Sequence, residues 1–589
     1  MAELVSQPTV IQSLYGMYRD GKIFVNRKYQ RKLVWTLEEK QRLVESIIKK
    51  YPIPAVLVAE SLEKPGVYEV IDGLQRLNAI FSYIENFYPD IERRYFDVTK
   101  FSTAAGYAEA NLFSISADEN KLPSKEVSTI LDYPLALSVM RNATEAEVND
   151  VFDRINTYGH RLSDQERRQA GIQNDFSNLV REVACVVRGD VSQERLPLYD
   201  MPSISINLPK MNHGYEVDAE EVFWVKQGIL RSTDLRDSLD EQCIADIAAS
   251  IVLGAVIDRS KDALDLIYGE DTTESKSVLA ALGVYGADRL KDELKFCIQE
   301  IEQACEASGK KLRDIIFSKK TTNAFPSVFA VIFIALHDVI VREKKRITNY
   351  GALVGSLHNI VDRLETGRKS TSPDERDKNI RAVKGLIAGA FVEDEEVYKN
   401  IYSNHTAVDL DGIIRRSESE LAFYELKQGC LSLDGSGSIN QDVIDRVINT
   451  ICAIANNRPN SYGKVLIGVS DKTADTNRIK ELYKIVPRTV GKRSVVGVSR
   501  EAEKLGISLD KYLMLWKQRM ESSQLSDPLK SAVLSNIDYN DYFGLGVIVI
   551  TIPAQKAISF VGEDVYWRSH DNTILASGAK KVAEITGRF

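Results

Sequence analysis

Three carboxylates and a lysine in the last third of the chain have the types and spacing of a metal-dependent hydrolytic site. Glu420, Glu425 and Lys427 lie in 417-SESELAFYELKQG, and Asp471 ends a later apolar run. If this segment forms a strand, Glu425 and Lys427 project from one face, because strand side chains alternate. The three carboxylates suit Mg²⁺ or Mn²⁺, which activates water for phosphodiester cleavage, while Lys427 adds positive charge. Acidic residues are also common at strand ends without metal, so both interpretations stay open.

A second constellation lies in 67-VYEVIDGLQRLNAIFSYIENF, whose pattern predicts a strand, a sharp turn and a helix. The unpaired N–H groups at such a helix start suit an anionic phosphate. In such a site Gly73 would let the backbone approach the ligand, Arg76 would fork onto phosphate oxygens, and Asp72 would orient a magnesium ion or a water molecule. An Asp-Gly pair before a helix is also an ordinary turn, so the predicted nucleotide site has a purely structural alternative.

A basic run in the C-terminal part has a nucleic-acid-binding interpretation. Residues 401–589 hold 24 Lys and Arg against 22 Asp and Glu, although the whole chain carries a net charge of −8. Because phosphate contacts dominate affinity for nucleic acids, the cations of residues 478–500 are predicted to contact phosphate, with a solvated surface as the alternative. The candidates in the run are Arg488, Lys492 and Arg493. Arg568, in 566-YWRSH, is a further candidate, with an ordinary surface arginine as its alternative.

The sequence patterns around these residues indicate the helices and strands that position them, and they predict a multidomain α/β protein. Residues 1–170 have mixed α/β patterns, residues 171–400 are mostly helical, and residues 401–589 return to α/β. The strand signals are 55-AVLVA, 67-VYEVI, 421-LAFYELK, 464-KVLIGV and 545-LGVIVITI, and the helix signal 439-INQDVIDRVINTICAIANN lies between the third and fourth. The middle part is therefore predicted to be a helical domain between two α/β domains.

Within the middle part, one helix is predicted from apolar residues that recur at three- and four-residue steps in 288-DRLKDELKFCIQEIEQAC. The apolar stretch 327–341 is too short to span a membrane and predicts a buried helix. The polar tract 365-ETGRKSTSPDERDK, which contains Gly and Pro and shows no period, predicts a loop or linker.

Composition excludes several classes of protein. The chain has 589 residues, of which 44% are hydrophobic and 27% charged, and this excludes a disordered or low-complexity chain. The six cysteines include no C-x-x-C pair, which fits a reducing compartment and opposes a cysteine-based zinc site. The first residues, MAELVSQPTV, lack the basic and apolar regions of a secretory signal, so no membrane partner and a cytoplasmic location are expected.

The N-terminal motifs resemble the GmrSD N-terminal family. The resemblance is carried by 26-NRKYQRKLVWTLEEKQRLVESIIKKYPIPAVLV, 71-IDGLQRL and 152-FDRINTYGHRLSDQERRQAG, in that order. It implies a ParB/sulfiredoxin-like fold in a bacterial anti-phage restriction system, with binding of an NTP and coupled sensing of modified or foreign DNA. The family's Asp-Gly-Gln-Gln-Arg is Asp72-Gly73-Leu74-Gln75-Arg76 here, and the glutamine lost at Leu74 affects hydrolysis more than binding.

Other residues enter through the same resemblance. Tyr29, Gln30 and Arg31 match a family element that is implied to lie beside the nucleotide cavity or to read a DNA modification; a polar cluster at a strand edge is the alternative. Asn156 is an implied nucleotide contact. Ser163-x-x-Glu166 fits a capping box, so a structural role is predicted there.

The C-terminal part resembles the Schlafen-type AlbA domain over residues 401–589. The matching features are Glu-x4-Glu-x-Lys, a helix that carries Ala455-Asn456, 462-YGKVLIGVSD, 547-VIVITIP and 565-VYWRSHDNT. In nuclease members of that family three carboxylates form the catalytic centre, and these correspond to Glu420, Glu425 and Asp471. The resemblance therefore implies a nuclease, whereas other members bind DNA as regulators.

The leading hypothesis is a nucleotide-responsive, metal-dependent nuclease of anti-phage defence that cleaves DNA or RNA, including tRNA. The helical middle would transmit a signal or mediate formation of a homo-oligomer. The competing hypothesis is a nucleic-acid-binding regulator or adaptor of a defence system that cleaves nothing.

Overall fold

The computed structural model describes most of the chain. The described residues are 3–27, 33, 35–62, 64–109, 113–158, 163–171, 173–189, 195–201, 203–205, 216–365, 371–394, 401, 405–417, 422–457, 459, 462–569 and 572–589. The contacts divide the chain into two compact units, residues 1–398 and 399–589. The predicted boundary near residue 170 lies inside the first unit, and the division into three domains stays a prediction.

The first unit begins with a six-stranded mixed sheet in the order β1-β5-β3-β4-β2-β6. Its strands are β1 Glu3–Val10, β2 Ile23–Asn26, β3 Val56–Glu60, β4 Tyr68–Asp72, β5 Pro134–Arg141 and β6 Arg195–Pro197. The helices in this part of the chain are α1 Ile11–Arg19, α2 Leu37–Ile48, α3 Leu74–Ile84, α4 Ser102–Glu109, α5 Ser124–Leu131, α6 Glu145–Tyr158 and α7 Asp164–Gly171. Because β6 pairs with β2, the sheet includes residues beyond the predicted boundary.

The strand, turn and helix predicted around Asp72 are confirmed as β4 and α3. The apolar face of α3 is buried throughout; it consists of Leu74, Leu77, Ile80, Phe81 and Ile84. This three- and four-residue spacing fixes α3 against the sheet, with its first turn directly beyond the end of β4.

The rest of the first unit is mostly helical. Its helices are α8 Asp175–Arg188, α9 Phe223–Lys226, α10 Ser232–Arg236, α11 Leu239–Leu253, α12 Lys261–Ile267, α13 Thr273–Tyr285, α14 Ala287–Ser308, α15 Leu312–Ile316, α16 Pro326–His337, α17 Tyr350–Leu357 and α18 Pro373–Ile387. Two short two-stranded sheets pair β7 Ser203–Ser205 with β8 Glu216–Asp218 and β9 Lys345–Ile347 with β10 Phe391–Glu393. Across the described residues, we find no helix with the length and apolar character needed to cross a membrane.

Two of the three predictions for this region are confirmed. The stripe predicted in 288–305 is buried on α14, and the apolar stretch from residue 327 forms the buried helix α16. The loop predicted over 365–378 is wrong from Pro373 onward, because α18 begins there; residues 366–370 lie outside the described residues. Proline suits the first helical position, and Arg376 is buried against Asp246 at 2.8 Å, so tertiary pairing overrides the polar pattern.

The second unit has a central sheet in the order β11-β12-β17-β16. The strands of this unit are β11 Tyr424–Lys427, β12 Gly463–Ile467, β13 Val469–Ser470, β14 Arg488–Val490, β15 Arg493–Val495, β16 Ile537–Asn540, β17 Val547–Ile552, β18 Tyr566–Ser569 and β19 Asn572–Leu575. Its helices are α19 Ala407–Arg416, α20 Gln441–Ala455, α21 Thr473–Tyr483, α22 Ser499–Leu505, α23 Leu509–Glu521, α24 Leu529–Leu534 and α25 Ala579–Thr586. Strands β11 and β12 are parallel and joined through α20, while β18 and β19 form a separate hairpin.

Alternation along the strands gives the central sheet two buried faces. Val465 and Ile467 pack in one core with α20 and α23, whereas Leu466 and Leu426 pack in the other core with α19. Glu425 and Lys427, which alternate with Leu426, therefore lie on the α20 side of β11. The outer strand β16 comes from residues 537–540, so this segment completes the sheet through pairing with β17.

Candidate functional site

Glu425 and Lys427 form an ion pair on β11, as their i, i+2 spacing predicts. The Lys427 ammonium donates to Oε1 of Glu425. The other carboxylate oxygen, Oε2, accepts from Nη1 of Arg568 at 2.8 Å. The carboxylate therefore bridges two cations on the α20 side of the sheet, where its side chain is 14% exposed.

Arg568 lies on β18 and is almost fully buried, with 1% of its side chain exposed. Its Nη2 donates to the carbonyl oxygen of Tyr424 at 3.0 Å, and its Nη1 donates to Oγ1 of Thr573 at 3.1 Å. The hydroxyls of Thr573 and Thr450, on β19 and α20, are 2.8 Å apart. Arg568 is predicted to contact phosphate, with an ordinary surface arginine as the alternative. The surface alternative is wrong, because the guanidinium is buried against Glu425.

The segment after β11 is held by a buried carboxylate from a distant part of the chain. Glu501 accepts from the backbone N–H of Cys430 at 2.9 Å and from the hydroxyl of Tyr512 at 2.5 Å. Gly429 has φ +154°, and a side chain there would overlap the Glu501 carboxylate. Glu501 thus fixes the path of the chain that leaves β11, and no motif around 499-SREAEK signals this role.

Asp471 lies beyond the carboxyl ends of the two parallel strands. Ile467 pairs with Lys427 in the register of β11 and β12, and the N–H of Gly468 donates to the Lys427 carbonyl at 2.8 Å. Asp471 follows β13 directly and is exposed. Glu420 lies outside the described residues, so the structure does not test the predicted set of three carboxylates. Within the described ranges, no three His, Cys, Asp or Glu side chains form a cluster able to hold a metal ion.

The cations of the basic run divide into internal and surface positions. The Arg488 guanidinium lies 3.4 Å from the ring centroid of Phe543, which fixes it as a packing residue. Arg500 is buried and donates to the Gln428 carbonyl at 2.6 Å. Lys492 is exposed in the turn between β14 and β15, and the next residue, Arg493, is partly buried. Lys492 therefore lies at the surface, and its contact with phosphate stays a prediction, whereas Arg488 and Arg500 make contacts inside the fold.

The predicted nucleotide motif forms a compact arrangement at the start of α3. Nη2 of Arg76 lies 2.8 Å from Oδ2 of Asp72 and donates to the carbonyl of Ala55 at 2.9 Å. Gly73 has φ +95°, and a Cβ there would lie 2.7 Å from a methyl group of Val56. The backbone thus requires glycine at this turn. The Arg76 guanidinium is held by the Asp72 carboxylate and the Ala55 carbonyl, and its contact with a nucleotide stays a prediction.

Of the other residues predicted near this site, some have a structural role and some lie outside the described residues. Gln75 is buried and its Oε1 accepts from the N–H of Trp35 at 3.2 Å, which makes it a link between α3 and the start of α2. The segment of Tyr29, Gln30 and Arg31 lies outside the described residues, as does the side chain of Asn156 on α6. The capping box is confirmed, since the N–H of Ser163 donates to Glu166 at 3.0 Å and the N–H of Glu166 donates back at 3.2 Å.

A lysine with an altered pKa lies on the other face of the central sheet. Burial, together with the nearby Arg416, lowers the pKa of Lys464 to about 8. Its ammonium is 3.2 Å from Nε2 of His405 and donates to Oγ1 of Thr551 at 3.0 Å. Because Lys464 and the neighbouring Val465 project to opposite faces of β12, Lys464 is separate from the Glu425 site.

Comparison with known proteins identifies a family that the N-terminal part of the chain matches. Residues 11–173 match the sequence model of the family described as GmrSD restriction endonuclease, N-terminal domain. The predicted resemblance of the N-terminal motifs is thereby confirmed. No curated protein and no solved structure matches the chain. The resemblance of residues 401–589 to the Schlafen-type AlbA domain stays a prediction.

Proposed function

We propose that the chain is a restriction-type defence nuclease in which the second unit cleaves nucleic acid and the first unit senses a nucleotide. The observation that carries the proposal is the carboxylate of Glu425 beside Lys427, on a strand whose parallel neighbour leads to the exposed Asp471. The match of residues 11–173 to a restriction endonuclease family supports the same class of activity.

The three carboxylates proposed for the second unit are hard oxygen donors, which suit a divalent ion. Glu420, Glu425 and Asp471 would hold Mg²⁺ or Mn²⁺, which when bound supplies an activated water and stabilises negative charge on phosphate. Each oxygen of Glu425 has a cation partner, and a carboxylate oxygen has a second lone pair for a metal. Lys427 would neutralise a non-bridging phosphate oxygen, and the exposed Lys492 would bind the nucleic acid backbone.

The first unit would bind an NTP at the start of α3. The N–H groups of the first helical turn would face the phosphates, Arg76 would pair with a phosphate oxygen, and Asp72 would position a metal ion or water. Tyr29, Gln30, Arg31 and Asn156 complete the proposed pocket through the family resemblance. We further propose a cytosolic protein that forms homo-oligomers through its helical part and responds to phage infection.

The second candidate function is nucleic-acid binding without cleavage. The observation that favours it is the neutralisation of Glu425 by Lys427 and Arg568, since a carboxylate with two cationic partners also fits a structural ion cluster. The replacement of the family glutamine by Leu74 favours slow or absent turnover in the first unit as well.

One experiment separates these two functions. Purified protein is incubated with plasmid, single-stranded DNA and tRNA, with Mg²⁺, Mn²⁺ or EDTA, and with or without each NTP. Metal-dependent cleavage of one of these substrates, absent in EDTA, supports the nuclease. Retarded but intact nucleic acid under all conditions supports the binding regulator and contradicts the nuclease.

A further inference from the structure

We propose that Arg568 is a positioning residue that sets the orientation of the Glu425 carboxylate toward its metal ion. This inference rests on the proposed nuclease function. It assigns to the β18–β19 hairpin the task of aligning the proposed catalytic carboxylate, in place of the phosphate contact that the sequence predicts for Arg568.

The guanidinium of Arg568 holds both the side chain and the backbone of the carboxylate-bearing strand. Nη1 contacts Oε2 of Glu425 at 2.8 Å, and Nη2 contacts the carbonyl oxygen of Tyr424, the preceding residue, at 3.0 Å. The two donor groups of the planar guanidinium can hold the Glu425 carboxylate in one orientation relative to the backbone of β11. The single ammonium of a lysine cannot make both contacts.

The hairpin that carries Arg568 is itself anchored on both of its faces. On the inner face, Thr573 bonds both the Arg568 guanidinium and Thr450 of α20, the helix that joins β11 to β12. On the outer face, the adjacent Trp567 lies under the ammonium of Lys581, 3.8 Å from the ring centroid. The hairpin therefore holds the guanidinium in a fixed position. A residue that orients a partner to within a fraction of an ångström needs such support.

The charge of Arg568 has an effect on metal binding that is opposite to its effect on orientation. A buried cation next to Glu425 repels a divalent ion at the same carboxylate, because Coulomb interactions are poorly screened where water is excluded. Loss of this charge should therefore tighten metal binding while the carboxylate loses its orientation and cleavage slows. A residue that only stabilises the fold would not separate these two quantities.

The test compares Arg568→Met and Arg568→Lys with the matched control Arg519→Met, an exposed arginine on α23 of the same unit. Mn²⁺ affinity is measured by electron paramagnetic resonance of free Mn²⁺, folding by circular dichroism, and cleavage under single-turnover conditions. For Arg568→Met we expect several-fold tighter Mn²⁺ binding and cleavage that is slower by roughly 100-fold. Arg568→Lys keeps the positive charge but replaces the planar guanidinium with a single ammonium, so it should keep the wild-type Mn²⁺ affinity and lose cleavage. If Arg568→Met does not fold, Arg568→Lys alone tests the inference.

Two results would overturn the inference in distinguishable ways. If wild-type protein binds Mn²⁺ and cleaves, and both Arg568 variants match Arg519→Met per folded molecule, Arg568 has only a structural role and the proposed function stands. If wild-type protein neither binds Mn²⁺ nor cleaves any nucleic acid, the proposed function is wrong, and the positioning role is wrong with it.

Discussion

Glu425 on β11 and Arg568 on β18 form a 2.8 Å ion pair across 143 residues of sequence. The guanidinium is almost fully buried, and the Glu425 side chain is 14% exposed. Replacement of Glu425 by glutamine keeps the side-chain volume but leaves the Arg568 charge without its anion. A loss of cleavage in that variant would therefore combine two effects, loss of a metal ligand and loss of fold stability.

The first prediction concerns this stability effect. Glu425→Gln should lower the free energy of unfolding by about 3 kcal/mol, because one partner of a buried ion pair is removed. The matched change at an exposed carboxylate, Asp471→Asn, should alter it by less than about 0.5 kcal/mol. Urea unfolding of both variants measures the difference, and the double variant Glu425→Gln, Arg568→Met should recover part of the loss. Equal stability of the two single variants would show that the ion pair does not support the fold.

The second prediction concerns the phosphate contact of the first unit. Arg76→Ala should weaken NTP binding by about 10- to 150-fold, since one charge-assisted pair of roughly 1.5–3 kcal/mol is lost. Calorimetric titration with each NTP measures the affinity. Arg42→Ala is the matched control, because Arg42 also pairs with a carboxylate four residues earlier but on an exposed face of α2. Wild-type protein that binds no NTP at millimolar concentration would exclude the site.

The third prediction separates binding from chemistry at the same site. Asp72→Ala should keep most of the NTP affinity, because Arg76 retains its contact with the Ala55 carbonyl, and should abolish any release of phosphate. Wild-type turnover is expected to be slow, since Leu74 replaces the family glutamine. Phosphate release is measured for wild type, Asp72→Ala and the control Glu38→Ala. Turnover that is fast and unchanged in Asp72→Ala would refute the role given to this aspartate.

The fourth prediction concerns pH. Burial raises the pKa of Glu300 on α14 to about 7, although the hydroxyl of Tyr350 on α17 donates to its carboxylate at 3.0 Å and opposes this shift. The native state therefore keeps a proton that the unfolded state releases between about pH 4.5 and 7, so stability falls as pH rises through this range. Glu300→Gln should remove this fall, roughly 2–3 kcal/mol between pH 5 and 8.

Urea unfolding at a series of pH values checks the effect, with the exposed Glu306→Gln on the same helix as the control. The wild type and Glu306→Gln should lose stability in parallel as pH rises, while Glu300→Gln should change less. Parallel curves for all three proteins would show that Glu300 ionises normally in the folded state.

Local patterns predicted the parts of the sites that depend on neighbouring residues. The two-residue period of a strand correctly predicted that Glu425 and Lys427 share one face of β11. The helical period of residues 74–84 correctly predicted that α3 begins directly after Asp72 and Gly73. These relationships are local because backbone geometry alone determines which side chains share a face.

The partners that come from distant segments could not be predicted in this way. Arg568 reaches Glu425 only because the β18–β19 hairpin folds against α20, and Glu501 reaches Cys430 from 71 residues away. Helix α18 shows the same limit, since the buried pair of Arg376 and Asp246 overrides a polar and aperiodic sequence. Charge pairing between distant elements leaves no periodic signal.

The cleavage activity of Asp471→Asn tests the central claim most directly, because Asp471 is exposed and we expect its change to leave the fold intact. Single-turnover cleavage is measured with Mg²⁺ or Mn²⁺ for wild type, Asp471→Asn, the triple variant Glu420→Gln, Glu425→Gln, Asp471→Asn, and the exposed control Asp510→Asn. If the three carboxylates place one metal site, the single and triple variants should lose nearly all cleavage to a similar extent, because residues that act as a unit are not additive. Nucleic-acid binding should persist, Asp510→Asn should cleave like the wild type, and EDTA should silence both. Cleavage by folded Asp471→Asn at the wild-type rate, or wild-type cleavage that persists in EDTA, would contradict the account.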